Sequence, residues 1–122
     1  MSMLASGIAW GADDSASTTG YYRFPALHQD VVVFTAEGDL WRVGIHGGVA
    51  QRLTSHPGLE FHAAISPDGK MVAFSAEYEG PGEVYTMPIE GGPPIRRTYE
   101  GQGTVVAGWT PDGNVLYSTR HY

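Results

Sequence analysis

Ser66-Pro67-Asp68-Gly69 and Thr110-Pro111-Asp112-Gly113 stand 44 residues apart. The same interval separates Asp39-Leu40-Trp41 from Glu83-Val84-Tyr85, Gly47-Gly48 from Gly91-Gly92, and Arg52-Leu53-Thr54 from Arg96-Arg97-Thr98. Marks this different, all kept at one spacing, define a repeat. Phe34-Thr35-Ala36-Glu37 returns as Phe74-Ser75-Ala76-Glu77 after only 40 residues. The difference falls in Tyr78-Glu79-Gly80-Pro81-Gly82. An insertion is tolerated at the surface, so this stretch is expected at a hairpin tip.

Within each unit, short β-type runs alternate with turn clusters. Strands are expected over residues 22–27, 31–36, 39–45 and 49–54, then 61–65, 71–77, 83–88 and 95–98, and finally 104–109 and 115–119. No window of ten or more residues carries a helical apolar period free of Gly or Pro. In Ser-Pro-Asp-Gly, the serine can bond the backbone two residues on, the proline presets φ near −65°, and the glycine supplies positive φ. Gly47-Gly48 and Gly91-Gly92 suit tight turns. Pro93-Pro94 delays the last strand of its unit, as an outer edge tolerates. Four strands in about 44 residues is the period of a β-propeller blade. A sandwich has similar strand spacing but does not repeat its turn chemistry every fourth strand. The expected fold is therefore all-β, with blades of four antiparallel strands forming an incomplete propeller of two blades and half of a third. The blades fall at about 21–57, 58–102 and 103–122.

Composition agrees. The chain has 122 residues with 17 Gly and 8 Pro, so turn formers are dense, while 42% apolar and only 16% charged residues argue against disorder. A net charge of −6 disfavours a nucleic-acid partner. With no cysteine, disulfides, thiolate metal sites and cysteine nucleophiles are excluded. No apolar run reaches the ~18–20 residues of a membrane span. Residues 1–20 differ from the rest. The run from Met3 to Trp10 is apolar, and Ala9-Trp10-Gly11 resembles a signal-peptidase site, although no Lys or Arg precedes it. This segment is expected to be a flexible leader, either a signal-peptide remnant or an ordinary N-terminus. The signal reading makes the protein periplasmic or secreted; the alternative is cytoplasmic.

No chemistry-bearing constellation emerges. His28, His46, His56, His62 and His121 lack metal-site spacing. His28 and His62 lie at ends of expected inner strands, where they either line a pore or, as favoured, are solvated turn residues. Asp68 and Asp112 are expected to bond local backbone in the repeated turns. Asp39 and Glu83 begin equivalent strands, where they either face a channel or, as favoured, are edge charges that block strand addition. There is no Gly-x-Ser-x-Gly, and Gly101-Gln102-Gly103 lacks the third glycine and helix of a phosphate loop. Phe34, Phe74, Trp41, Tyr85, Trp109 and Tyr117 are read as recurring aromatics packed between blades. On that reading Trp41→Ala costs ~3–5 kcal/mol. No catalytic, cofactor-binding or metal-ligating residue is assigned, and no cofactor is expected.

In detail the unit resembles the propeller repeats of TolB-like and tricorn-protease-like families. It has the Ser66-Pro67-Asp68-Gly69 turn, a strand ending Phe74-Ser75, then Asp39-Leu40-Trp41, Gly47-Gly48 and Arg52-Leu53-Thr54. The opening from Tyr21 to Trp41, the link Leu53-Thr54-Ser55-His56-Pro57-Gly58 and Gly108-Trp109-Thr110 are similar to the start of the tricorn-type six-bladed propeller. One departure is Arg97, which stands where the first unit has Leu53, so the fourth strand of unit two is expected to pack less well. The resemblance implies a non-catalytic propeller segment of a serine peptidase that degrades short peptides. In that family the propellers precede a PDZ domain and a catalytic domain and gate or filter peptide access. The alternative is a TolB-like periplasmic interaction module with no enzymatic partner domain. Partners implied are the remainder of a longer chain, peptides, and a homo-oligomer. End blades expose apolar faces, so self-association, or a place at the front of a longer protein, is expected.

Overall fold

The computed structural model describes residues 23–119. The leader, Tyr21, Tyr22, His121 and Tyr122 lie outside the described residues. Ten strands form three antiparallel sheets: β1 (Arg23–His28), β2 (Val31–Ala36), β3 (Asp39–Gly44) and β4 (Gly47–Arg52); β5 (Glu60–Ile65), β6 (Met71–Ala76), β7 (Glu83–Pro88) and β8 (Ile95–Arg96); and β9 (Thr104–Trp109) with β10 (Val115–Thr119). Strands in each sheet are ordered as in sequence, and β1, β5 and β9 lie against one another in succession. Two four-stranded blades and a third pair therefore stack with their first strands innermost. This is the expected partial propeller.

The repeat is exact in register where it matters. Phe34 pairs with Trp41 on β2–β3, and Phe74 pairs with Tyr85 on β6–β7. Bulges interrupt the inner strand pairings of all three sheets. At the bulge in β5 His62 adopts φ 58°, so it sits within the strand rather than at its end. In the turn from β5 to β6, Gly69 N donates to Ser66 O at 2.9 Å and Met71 N to Ser66 Oγ at 3.0 Å. Ser66 Oγ and Lys70 N both donate to Asp68 Oδ1. Thr110 and Asp112 repeat the device. Asp68 thus bonds local backbone as the turn chemistry predicts, whereas Asp112 accepts from the Thr110 hydroxyl and the backbone donor, Asn114 N, goes to Thr110 Oγ1. Gly69 has φ +77°, and a Cβ there would lie 2.7 Å from the His28 ring, so both conformation and space demand glycine.

Three details differ from the sequence expectation. The turn between β3 and β4 is Ile45-His46, with Gly44 paired to Gly47; the glycines follow the turn, at φ 97° and 112°. β4 consequently begins two residues early. β8 has two residues rather than four. Leu53 packs against the seam between the first two blades, whereas its counterpart Arg97 sends Nε to Thr86 Oγ1 at 2.8 Å. The apolar anchor is missing, and Pro93-Pro94 supply no N–H to extend the ladder.

The main core is the seam between blades one and two. Val33 and Leu40 from the first sheet meet Val72, Phe74, Tyr85 and Met87 from the second, all buried. Ala73, Val84 and Val106 form the smaller seam toward the third sheet. Trp41 corrects the expectation. It clusters with Val32, Phe34 and Val43 on the other face of blade one, half-buried, and its Nε1 donates to Ala36 O at 3.2 Å. By the repeat that face corresponds to the one through which Phe74 and Tyr85 meet blade one. Trp41 is therefore not part of the seam between the two complete blades. Trp109 does pack between blades, against the Ala73, Val84 and Val106 cluster, but it does not recur: it pairs with Val115 as Ile65 pairs with Val72, so its counterpart in blade two is aliphatic.

The linker between blades runs close to the end of β6, where Glu77 N donates to Leu59 O at 2.9 Å. A Cβ on Gly58 would lie 2.3 Å from Glu77 O and 2.9 Å from its carbonyl carbon. Both obstacles are backbone, so the linker itself must shift. Gly58→Ala should cost ~1–3 kcal/mol in urea melts; an unchanged midpoint would show that the linker does not approach β6.

Candidate functional site

The inner strands place His28 against the neighbouring blade. Its Nε2 lies 2.9 Å from Pro67 O, so the ring pins β1 to the Ser66–Gly69 turn across the seam. It is held by that contact rather than freely solvated. His62 stands at the β5 bulge with its ring edge-on to Phe61 at 5.4 Å. The structure does not bring the two histidines together in a common site.

Asp39 and Glu83 also depart from both expected roles. Each is buried, at 4% and 3% exposure, and each ties the start of its third strand to the segment leaving the fourth. In blade two, Glu83 accepts hydrogen bonds from Thr98 Oγ1 (2.5 Å), Gly101 N (2.7 Å), Glu100 N (3.1 Å) and Arg96 Nη2 (3.4 Å). Thr98 Oγ1 in turn accepts from Val84 N at 2.9 Å. Burial alone would raise the Glu83 carboxyl, but these donors outweigh it and hold the group below the ordinary carboxylate range. In blade one, Arg52 donates through both Nε and Nη2 to Asp39 Oδ2, and Thr54 Oγ1 accepts from Leu40 N at 2.9 Å.

The bracket of blade one recruits two further groups, both from blade two. Glu60 opens β5, and Thr54 Oγ1 donates to its Oε1 at 2.8 Å. Tyr78, from the insertion after β6, donates its hydroxyl to Glu60 Oε2. The Tyr78 ring lies tilted against His56 at 3.9 Å and meets Tyr85 edge-on at 4.7 Å. A cleft of about 480 Å³ opens beside it, lined by Leu53, His56, Tyr78, Glu79, Tyr85 and Pro94. Glu79 closes one side through Arg96 Nη1 at 2.9 Å. A second cleft, about 510 Å³, lies between blade two and the third sheet, bordered by Val84, Thr86, Trp109, Val115 and Tyr117. In the seam between blades one and two, Tyr85 and Met87 of a third strand pack in the corresponding place.

Sequence reasoning missed Glu60, Thr54 and Tyr78. The recurrence of Asp/Glu, Arg and Thr at one spacing was the available signal for Thr54. Tyr78 carries none, because an aromatic in a loop insertion has no partner visible in sequence. Among the described residues, no three His, Asp or Glu side chains gather as a metal cluster, and no helix is long and apolar enough to cross a membrane.

Stacked four-stranded blades with innermost first strands, joined by apolar seams and a repeated carboxylate–threonine bracket, define a β-propeller class. Residues 19–122 match the family described as the tricorn protease N-terminal beta propeller domain, and the chain belongs to that family. It is 45% identical over 97 residues to Tricorn protease homolog 1 of Streptomyces coelicolor, and 30% identical over 105 residues to Tricorn protease of Thermoplasma acidophilum. Those matches cover 79% and 78% of this chain but span only 9% and 10% of the relatives' lengths. Among solved structures, the tricorn protease superposes with a TM-score of 0.73 at 29% identity, over 82% of this chain and 11% of that one. A putative TolB from Agrobacterium tumefaciens superposes at 0.70 with 27% identity, over 80% and 38%.

Proposed function

We propose that the chain is a non-catalytic propeller segment of a tricorn-like serine peptidase, gating or filtering short peptides on their way to a catalytic domain elsewhere in the protein. The match of residues 19–122 to the tricorn N-terminal propeller carries this reading. The geometry is compatible with it: the polar groups that converge, Asp39, Glu60 and Tyr78, are locked in hydrogen bonds at a blade seam rather than presented in an open site. The partners are then the remainder of such a chain and peptides, with self-association through open blade faces. The signal-like leader supports a periplasmic or secreted location. A TolB-like interaction module is the second reading, favoured by the TM-score of 0.70 to the putative TolB.

The test has two parts. The isolated chain should not hydrolyse short peptides; turnover abolished by changing one of its serines would overturn the non-catalytic assignment. Tricorn protease homolog 1 carrying this chain in place of its matching segment should retain cleavage and size preference, while a version lacking the segment should lose the size preference. Equal preference in both versions would remove the gating role and leave the interaction module.

A further inference from the structure

The bracket that is complete in blade two is defective in blade one. Forty-four residues before Gly101, whose N–H donates to Glu83, stands Pro57, which has no N–H to give. Asp39 is also one methylene shorter than Glu83. Arg52 holds Asp39 Oδ2, but Oδ1 is buried without a hydrogen-bond partner. Buried acceptors are rarely left in that condition. The same comparison locates the compensation. Forty-four residues before Thr104, which bonds Gly82 O, stands Glu60, a second carboxyl at 2% exposure, held by Thr54 Oγ1, the same hydroxyl that accepts from Leu40 N beside Asp39. Two buried carboxyl groups with one cation, and that cation bonded to a single oxygen of one of them, cannot both be charged cheaply.

We propose that Asp39 and Glu60 share one proton, forming a carboxyl–carboxylate bridge from β3 to β5 that acts as a pH-sensitive latch on the seam between blades one and two. One proton satisfies both anomalies: it gives Asp39 Oδ1 a donor and removes one of two adjacent negative charges. Burial pushes Glu60 up to about 7, the Asp39 charge adds to this, and the hydrogen bonds from Tyr78 and Thr54 oppose it. Tyr78 is itself raised well above its ordinary range, first by burial and then by Glu60, so it stays a donor. The groups facing the pair are Asp39 on β3, Arg52 on β4 with Glu37 acting on it, Thr54 on the linker, Tyr78 after β6, and Tyr85 on β7. His56 reaches the pair only through the Tyr78 ring. None of these places a cation on Glu60. When the proton leaves, the repulsion between the carboxylates therefore falls on the β3–β5 contact. A folded-state value raised above the ordinary 4.5 means the contribution is complete below that value and fades as pH rises toward 7.

This latch is independent of the peptide-gating role. It is tested by amide exchange on the full chain, expressed as protection factors so that intrinsic base catalysis is removed. Leu40 N, bonded to Thr54 Oγ1, and Glu77 N, bonded to Leu59 O, report the seam. Val106 N, bonded to Ser75 Oγ, reports the next one. Protection at Leu40 and Glu77 should fall at least tenfold between pH 5.5 and pH 8, with Val106 unchanged. Glu60→Gln, which keeps a donor for Asp39 but cannot ionise, should show no such fall. Equal falls in wild type and variant, or none in wild type, would overturn the proposal. Should the variant fail to fold, a carbon-13 titration of the wild-type side-chain carboxyls decides. A Glu60 midpoint near 7 supports the bridge, and one near 4.5 overturns it.

Discussion

Phe74→Ala should destabilise the chain by ~3–5 kcal/mol, the largest loss of any single substitution considered for this protein. Phe74 is fully buried, and three features make its removal costly. Its ring lies parallel to Tyr85 at 6.0 Å and meets Tyr78 edge-on at 6.4 Å. The cluster around it, from Val33 to Met87, draws on both complete blades, so the cavity would open in the seam that joins them. The surrounding strands are held by a continuous β6–β7 ladder and cannot collapse into the gap. Denaturant melts followed by tryptophan fluorescence would measure the loss. A change below about 1 kcal/mol would show that Phe74 is not in the seam.

Glu83→Ala should cost ~2–4 kcal/mol at neutral pH, because it strands several donors at once. Thr98 Oγ1, Gly101 N and Glu100 N all point at this one carboxylate, and Arg96 Nη2 joins Gly101 N on its Oε2. The pH dependence has the opposite sign to that of Glu60. The Glu83 carboxyl is held below its ordinary value, so its contribution is present above about pH 4.5 and disappears as pH falls through the lowered value. The difference between wild type and Glu83→Ala should therefore shrink on acidification. A difference independent of pH from 7 to 3 would mean that the carboxylate's charge is irrelevant to the bracket.

The propeller was legible in the sequence because its cause is periodic. The turn Ser66–Gly69, the Phe74-Ser75 strand end and the Arg-x-Thr segment each recur because each blade solves the same local problem. Register followed from them: the insertion of Tyr78–Gly82 falls between β6 and β7 without shifting any strand face. What periodicity cannot show is which face of a blade has a neighbour. Trp41 and Tyr85 are equivalent by repeat, yet only Tyr85 lies in the seam between blades one and two. The carboxylates were misjudged for a related reason. Asp39 and Glu83 are equivalent in sequence, but their surroundings differ where one blade leads into the next: in the linker Pro57 replaces Gly101, and at the start of the following strand Glu60 replaces Thr104. Departures from a repeat carry chemistry that the repeat itself hides. The His28 contact was not legible because its partner, Pro67 O, is a backbone atom of another blade, 39 residues away.

Nuclear Overhauser contacts between blades test the central claim most directly, that the 44-residue repeat builds successive sheets packed face to face. With selectively labelled chain, the Phe74 and Tyr85 rings should show contacts to methyl groups of Val33 or Leu40 in the preceding sheet. Rings that contact only side chains of their own sheet, β5 to β8, would contradict it.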